Sequence, residues 1–370
     1  MKRLIRRLLN LPETGYPHEW ATRPPTSCNI AQVNPLQDPK WDARIAQCPG
    51  AGFFHGTAWA RVLKESYGFD PIYFANIDAD EYRAVLPVME VDSRLTGRRG
   101  VSLPFTDECA AAGDEVSRLN LLPAVFVHAK SRRWKYCEFR GGKELFADAL
   151  ASSRFWAHRL ELTSDKASLF RGFSSSARTA IRKAEQSGVT VGFSTTPGAV
   201  REFFELFCQT REKHGVPPQP RRFFESIQRH VLTTNQGFVV LAKRAGLNIA
   251  GAIFLCFGRT GLLKFSASDA ACQNLRGNNL VMWHAIQRMA QDGFLFMDLG
   301  RTSLNNEGLR RFKLSWGTRE RPVEYVRYDQ RVGRFVQVPD RSSGWHTRVL
   351  RLFPAPIFRL IGSLIYRHTA

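Results

Sequence analysis

Residues 262–301 read LLKFSASDAACQNLRGNNLVMWHAIQRMAQDGFLFMDLGR, and the order of elements in this stretch decides the fold. Leu262–Ser266 predicts a strand, and Cys272 to Asn279 a polar loop rich in Asn and Gly. A helix is expected from Leu280 to about Asp292, ended by Gly293. Phe294-Leu295-Phe296-Met297-Asp298-Leu299-Gly300-Arg301 then predicts a buried strand. Strand, loop, helix, strand is the grammar of an α/β protein. The first amides of the helix have no carbonyl of their own to bond, and the helix dipole adds positive charge there, so Asn274, Arg276, Gly277, Asn278 and Asn279 form a candidate anion site. A plain strand-to-helix turn fits the same residues. Asp298, at the end of an apolar strand, stands where functional carboxylates project into clefts, and where helix caps and turns also use Asp.

Upstream, Phe238–Lys243, Ile249–Phe257 and Leu262–Ser266 predict a strand meander with turns at Ala245-Gly246 and Arg259-Thr260-Gly261. A similar pattern precedes it. Ala58–Ser66 predicts a helix, and Pro71–Asn76, Arg83–Asp92 and Val101–Phe105 predict strands. The repeat is one of pattern rather than identity, and it suggests two related α/β domains. Residues 1–40, with six prolines between Pro12 and Pro39, read as an irregular leader, 41–163 as a first domain, 164–340 as a second, and 341–370 as a tail. Between the meanders, Ser174-Ser175-Ser176 caps a helix over Ala177–Gln186 that ends at Gly188. Arg178, Arg182 and Lys183 fall near one face of it, either as a solvated basic face or as a surface for anionic substrate. His214, beside Gly215 and two prolines, is a loop residue suited to bordering an acceptor cleft.

The 370 residues suit two domains, and 44% hydrophobic with 23% charged residues suits a folded chain. The net charge of +20 attracts polyanions: nucleic acid, anionic lipid or the phosphates of a cofactor. A GC-rich genome would also raise the arginine content. Seven cysteines without a CxxC pair point to a reducing compartment, and the nine histidines show no metal-ligand spacing, so no metal is expected. The basic N-terminus lacks a clean apolar core for a signal peptide, and no apolar run reaches the roughly 20 residues of a spanning helix. The expectation is a soluble cytoplasmic protein. Leu350–Tyr366 is apolar apart from Arg351 and Arg359 and is broken by Pro354 and Pro356. It reads as a helix packed on the protein's own core, or as a tail at the inner membrane surface with Arg348, Arg351, Arg359 and Arg367 toward anionic headgroups. No GxSxG elbow or kinase signature is present.

Several segments together resemble the FemAB-like transferases of the GNAT (acyl-CoA N-acyltransferase) superfamily, most closely those that accompany exosortase and exopolysaccharide systems. They are Phe54-His55 with Trp59, Ser175-x-x-Arg178-x-x-Ile181-Arg182-Lys183-Ala184, Gly188-Val189 and Arg211-Glu212-Lys213-His214-Gly215-Val216-Pro217, followed by Asp298-Leu299-Gly300-Arg301 and then Phe312-Lys313-x-x-Trp316-Gly317. The resemblance spans about residues 40–330 and rests on order and spacing. It implies tandem GNAT-like domains, each a twisted mixed sheet flanked by helices. It also implies acyl transfer to an amine or hydroxyl without a covalent enzyme intermediate. Asn274-x-x-Gly277-x-Asn279 approximates the Gln/Arg-x-x-Gly-x-Gly/Ala loop with which such enzymes hold the pyrophosphate of acyl-coenzyme A. Lys313 maps to a lysine assigned to the developing oxyanion, although by residue type alone it reads as a surface lysine. Asp298 is the candidate for orienting or deprotonating the acceptor, and Arg301 for holding a phosphate or Asp298 itself.

The expected activity is transfer of an acetyl or other acyl group from acyl-coenzyme A, or of an aminoacyl group from charged tRNA, to a cell-envelope or exopolysaccharide precursor. The long helical arm of some peptidoglycan-bridge enzymes is missing, which counts against an arm-dependent role with tRNA. The rival reading is a non-catalytic module of the same fold that binds nucleic acid or an envelope-assembly partner.

Overall fold

The computed structural model describes residues 29–146, 149–338 and 354–369; the expected leader lies mostly outside them, as do Arg348 and Arg351. The chain divides into two compact units. One holds Met1–Arg154, Val323–Asp340 and Arg367–Ala370, and the other Phe155–Pro322 and Arg341–Tyr366. This division departs from the expected break near residue 163 and the expected second-domain end at 340. The cause is a strand, Arg319–Asp329, whose Tyr325–Asp329 half pairs antiparallel with Tyr136–Arg140 of the first unit.

In the first unit, Asn29–Val33, Tyr73–Asp78, Glu81–Leu86 and Ala112–Gly113 form an antiparallel sheet. The helix Glu115–Ser131 starts at Asp114, whose carboxylate accepts the Ser117 amide, and its Leu121, Leu122, Val125 and Phe126 join Phe74, Leu86 and Phe139 in the core. In the second sheet, Tyr136–Arg140 also runs parallel to Arg99–Val101, which pairs with Met89–Val91. Alternate residues of these strands build a buried charged cluster. Glu138 accepts Arg140 Nε at 3.0 Å and the Arg327 guanidinium, which also lies 4.2 Å from the Tyr136 ring centroid. Burial opposes ionisation of Glu138, but the two guanidinium groups outweigh it and hold its carboxyl below the usual range.

The second unit carries the stretch quoted first. Its strands are β1 (Ser153–Glu161), β2 (Thr190–Ser194), β3 (Gly237–Arg244), β4 (Leu247–Phe257), β5 (Thr260–Ser268) and β6 (Phe296–Ser303), in the sheet order β2-β3-β4-β5-β6-β1. All neighbours are antiparallel except β5 and β6, which run parallel because a helix connects them. The helices are α1 (Lys166–Gly172), α2 (Ser175–Gln186), α3 (Pro197–His214), α4 (Arg221–Ile227), α5 (Gly277–Gln291), α6 (Glu307–Leu314) and α7 (Ala355–Ile365). Ala177, Ile181 and Ala184 of α2 and Leu280, Ala285, Ile286 and Met289 of α5 share a core with Ala250, Ala252 and Phe254 of β4. On the other face lies a phenylalanine cluster, with Phe207 of α3 5.0 Å from Phe224 of α4 and 5.7 Å from Phe265 of β5. The central strands β3 and β4 are therefore covered on both sides, as their near-continuous apolar runs require.

The tail supplies α7, which seats on α3. Phe358 is buried, and Gly362 lies so close to the chain that an added Cβ would stand 2.1 Å from the Pro218 carbonyl oxygen. Arg359 pairs with Glu205 at 2.8 Å, and the Tyr366 hydroxyl accepts from Arg211 at 2.6 Å while donating to the Pro217 carbonyl at 3.0 Å.

Candidate active site

β5 and β6 pair only through Thr260–Leu262 and Phe296–Asp298. Beyond Leu262 and Asp298 they part, although β5 continues to Ser268 and β6 to Ser303. Two parallel strands that separate within one sheet leave an open wedge between their C-terminal halves, with backbone groups on each inner edge available to a ligand. A register shift between Asp298 and Arg301 on the β1 side, with Gly300 at φ +69°, bends β6 as it departs.

At the open end of β5 the chain turns through Gln273, Asn274 and Arg276, all exposed, into α5. No side chain caps this helix, and its N-cap Arg276 takes the left-handed conformation at φ +57°. Gly277 is buried because the first turn presses on β4: a Cβ there would lie 3.0 Å from Ala250 Cβ and 3.1 Å from Ile249 Cδ1. Asn278 and Asn279 are half-buried, so the helix end opens toward solvent rather than into apolar packing. The Asn278 Oδ1 atom is buried without a hydrogen-bond partner among the described residues. The amides of the first turn therefore offer positive charge to an anion with no side-chain competitor.

Lys313 lies under β6. On α6 the leucines Leu309 and Leu314 face solvent while Lys313 is 4% exposed, an inversion of the usual pattern. Its ammonium donates to the carbonyls of Gly300 and Arg301, each at 2.9 Å, and so holds β6 where it leaves β5. Asp298 sits at the narrow end of the wedge, paired in register with Leu262. Its carboxylate accepts Arg159 Nε at 2.7 Å and a terminal Arg159 nitrogen at 3.0 Å. The Arg301 guanidinium instead lies 4.2 Å from the Phe155 ring centroid.

The remaining expected residues divide. Arg178 donates to the Arg171 carbonyl at 3.1 Å and to that of Phe173, securing the end of α1, and Arg182 lies over the Phe170 ring at 5.5 Å. Lys183 is exposed on the same helix. His214 ends α3. One turn earlier the Thr210 hydroxyl accepts the Ser268 amide at 3.0 Å, so this end of α3 flanks the mouth of the wedge.

Two residues were missed by reading the sequence alone. Arg159 is the partner of Asp298, and His158, beside it on β1, is 1% exposed with neither ring nitrogen hydrogen-bonded among the described residues. Burial, and then the Lys313 ammonium, push the His158 pKa down to about 4, against the opposite pull of Glu320. Glu320 is itself held by Arg310 at 2.9 Å through both oxygens. The signal available was the alternation of Trp156, His158 and Leu160 with Ala157, Arg159 and Glu161, which puts His158 on the core face. Among the described residues no group of His, Cys, Asp and Glu could hold a metal ion.

Comparison with known proteins places these features in a wider set. Residues 171–314 match the model of the acetyltransferase (GNAT) domain. FemX is similar in structure with a TM-score of 0.63 at 13% identity, over 80% of this chain and 96% of that one. The C-terminal domain of a putative lysylphosphatidylglycerol synthetase from Agrobacterium fabrum gives 0.53 at 12% identity, over 84% and 94%. A tandem GNAT protein of clavulanic acid biosynthesis gives 0.50 at 8% identity, over 82% and 99%. No curated protein matches the chain. At these identities the likeness is one of fold: the chain is a mixed α/β protein built of tandem GNAT-like units.

Proposed function

We propose that the chain is an acyltransferase whose second unit takes its donor in the wedge between β5 and β6. The observation that carries this reading is the parting of these strands after Leu262 and Asp298, beside the uncapped, solvent-facing start of α5. An extended acyl-pantetheine arm has the shape of a missing strand and bonds to both inner edges. Its pyrophosphate sits on the amides opening α5, with Asn274, Arg276, Gly277, Asn278 and Asn279 around it. The acceptor amine or hydroxyl then attacks the carbonyl carbon. A C–N or C–O bond forms, the thioester C–S bond breaks, and the acceptor's proton leaves with no acyl-enzyme in between. In this reading Lys313 provides positive charge for the oxyanion from a site where water does not screen it, while fixing the bend of β6. Asp298, held by Arg159, orients the acceptor or takes its proton, and Arg301 and His214 border the acceptor's path. Arg178, Arg182 and Lys183 extend the positive surface for an anionic acceptor, here a cell-envelope or exopolysaccharide precursor.

Aminoacyl-tRNA is the second donor reading, favoured by the net charge of +20. Both are tested by one thermal-shift panel of acetyl-coenzyme A, longer acyl-coenzyme A species and charged tRNA. A ligand present at about 100 times its Kd stabilises the native state by about 2.7 kcal/mol, enough to raise Tm by degrees. A shift with one donor class, lost on replacing Gly277, supports the reading; no shift across the panel overturns it.

A further inference from the structure

The tail helix α7 faces the wrong way for a helix in water. Its outward residues are Ile357, Leu360, Leu364 and Ile365, exposed by 45, 57, 57 and 42%. They recur at helical spacing and form one stripe. Its only charged residue, Arg359, is turned inward to Glu205. The other large apolar side chains exposed among the described residues are scattered over both units, so this stripe is a feature of its own. The helix is firmly seated: Phe358, the close approach of Gly362 to Pro218 and the bonds of Tyr366 to Arg211 and Pro217 fix which face looks out. No rotation of α7 hides the stripe without breaking that seat.

The surroundings indicate what covers it. The segment against which Gly362 is clamped begins at exposed Lys213 and His214 and continues to exposed Arg222, with Arg221 beside it paired to Glu225 at 2.9 Å. It carries no acidic residue from Lys213 through Arg222, and α7 carries none either. An apolar stripe on a helix without acidic residues, packed on a segment that exposes Lys213 and Arg222 and borne by a chain with a net charge of +20, complements an anionic bilayer surface, which takes leucines among its acyl chains and offers phosphates to cations. A protein partner with a neutral apolar groove would satisfy the stripe but make no use of the chain's excess of positive charge.

We infer that α7 is a membrane-docking element that seats the second unit on anionic lipid. No helix among the described residues is long and apolar enough to cross a membrane, so the contact is one of insertion into the interface. The inference stands on the α7 surface and does not rest on the transferase reading. If both hold, the docked face lies beside the end of α3 that flanks the wedge through Thr210 and Ser268, and the acceptor is delivered from the bilayer.

The test is co-sedimentation of the full chain with vesicles of phosphatidylcholine alone and of phosphatidylcholine with about one-third phosphatidylglycerol, alongside light scattering without vesicles. The expected results are binding only to the anionic vesicles and a drop in partitioning of about tenfold or more for Leu360→Ser/Leu364→Ser, whose side chains already face water. The melting temperature of that variant should match that of the wild type. Three outcomes would overturn the proposal: no binding to anionic vesicles, binding that the double variant leaves intact (charge adhesion alone), or a wild-type dimer that the double variant dissolves (a contact between copies). Binding retained in a wild-type chain that responds to no acyl donor would sink the enzyme reading and leave this one standing.

Discussion

At the scale of single residues, Lys313 is where the proposed chemistry is most directly tested. A buried ammonium is costly unless its hydrogens are used, and two of them meet the carbonyls of Gly300 and Arg301. Lys313→Met keeps the length and apolar stem but removes the charge. We expect a loss of about 10²–10³ in acyl-transfer rate, the scale of one lost oxyanion donor, with circular dichroism unchanged at 25 °C. Wild-type turnover in that variant would remove Lys313 from the chemistry. His158 gives a pH prediction. Its folded pKa, about 4, lies below the ordinary 6.5, so the unfolded chain binds a proton that the folded chain refuses. Stability contributed by the neutral ring is complete above about pH 6.5 and is lost as pH falls toward 4. Urea unfolding at pH 7 and pH 5 should show the wild type losing about 1–2 kcal/mol more than His158→Gln over that interval. Equal losses would contradict the burial argument. His158 escaped the sequence reading because one histidine on an alternating strand carries no ligand spacing; only Lys313 and Glu320, brought to it by folding, mark it.

Elements were legible where their signals are local. The Ser174 cap accepts the Ala177 amide at 3.2 Å, and the expected helix, observed as Ser175–Gln186, ends before Gly188 at φ +70°. The loop before Leu280 was legible as a strand-to-helix turn, but the pressure on Gly277 was not, since it comes from Ile249 and Ala250 across the fold. That pressure has a consequence for the helix as a whole. Gly277→Val must push the first turn of α5 away from β4, costing about 1–3 kcal/mol in stability. It should also abolish the thermal shift with acyl-coenzyme A, and a retained shift would separate the helix end from donor binding. The parting of β5 and β6 was out of reach of the letters, because each strand continues past the point where pairing stops, β5 to Ser268 and β6 to Ser303, and where two strands separate is set by their partners across the fold. Residues 319–329 fall inside the expected second domain for a related reason: Tyr325 meets Arg140, a partner far away in the chain.

For the molecule as a whole, the charge is the dominant quantity. A chain of +20 adheres to any polyanion at low salt, so tRNA binding there says nothing about a donor. The discriminating measurement is affinity for charged against uncharged tRNA between about 50 and 200 mM salt, where phosphate contacts alone lose about 10³–10⁵. A preference for the charged form that survives this range would favour the aminoacyl donor. A steep, equal fall for both forms would leave acyl-coenzyme A as the donor.

The strand that crosses back also sets an order of events during synthesis. While the ribosome is still short of Val323, residues 136–140 lack their antiparallel neighbour, and Glu138 has Arg140 but not Arg327 beside it. The second unit, by contrast, has all six strands of its sheet once Ser303 has emerged. The sheet begun first is thus completed last, and a nascent chain spends this interval with an unpaired strand edge that invites chaperones. Expressing residues 1–154 alone would strand the chain in that state.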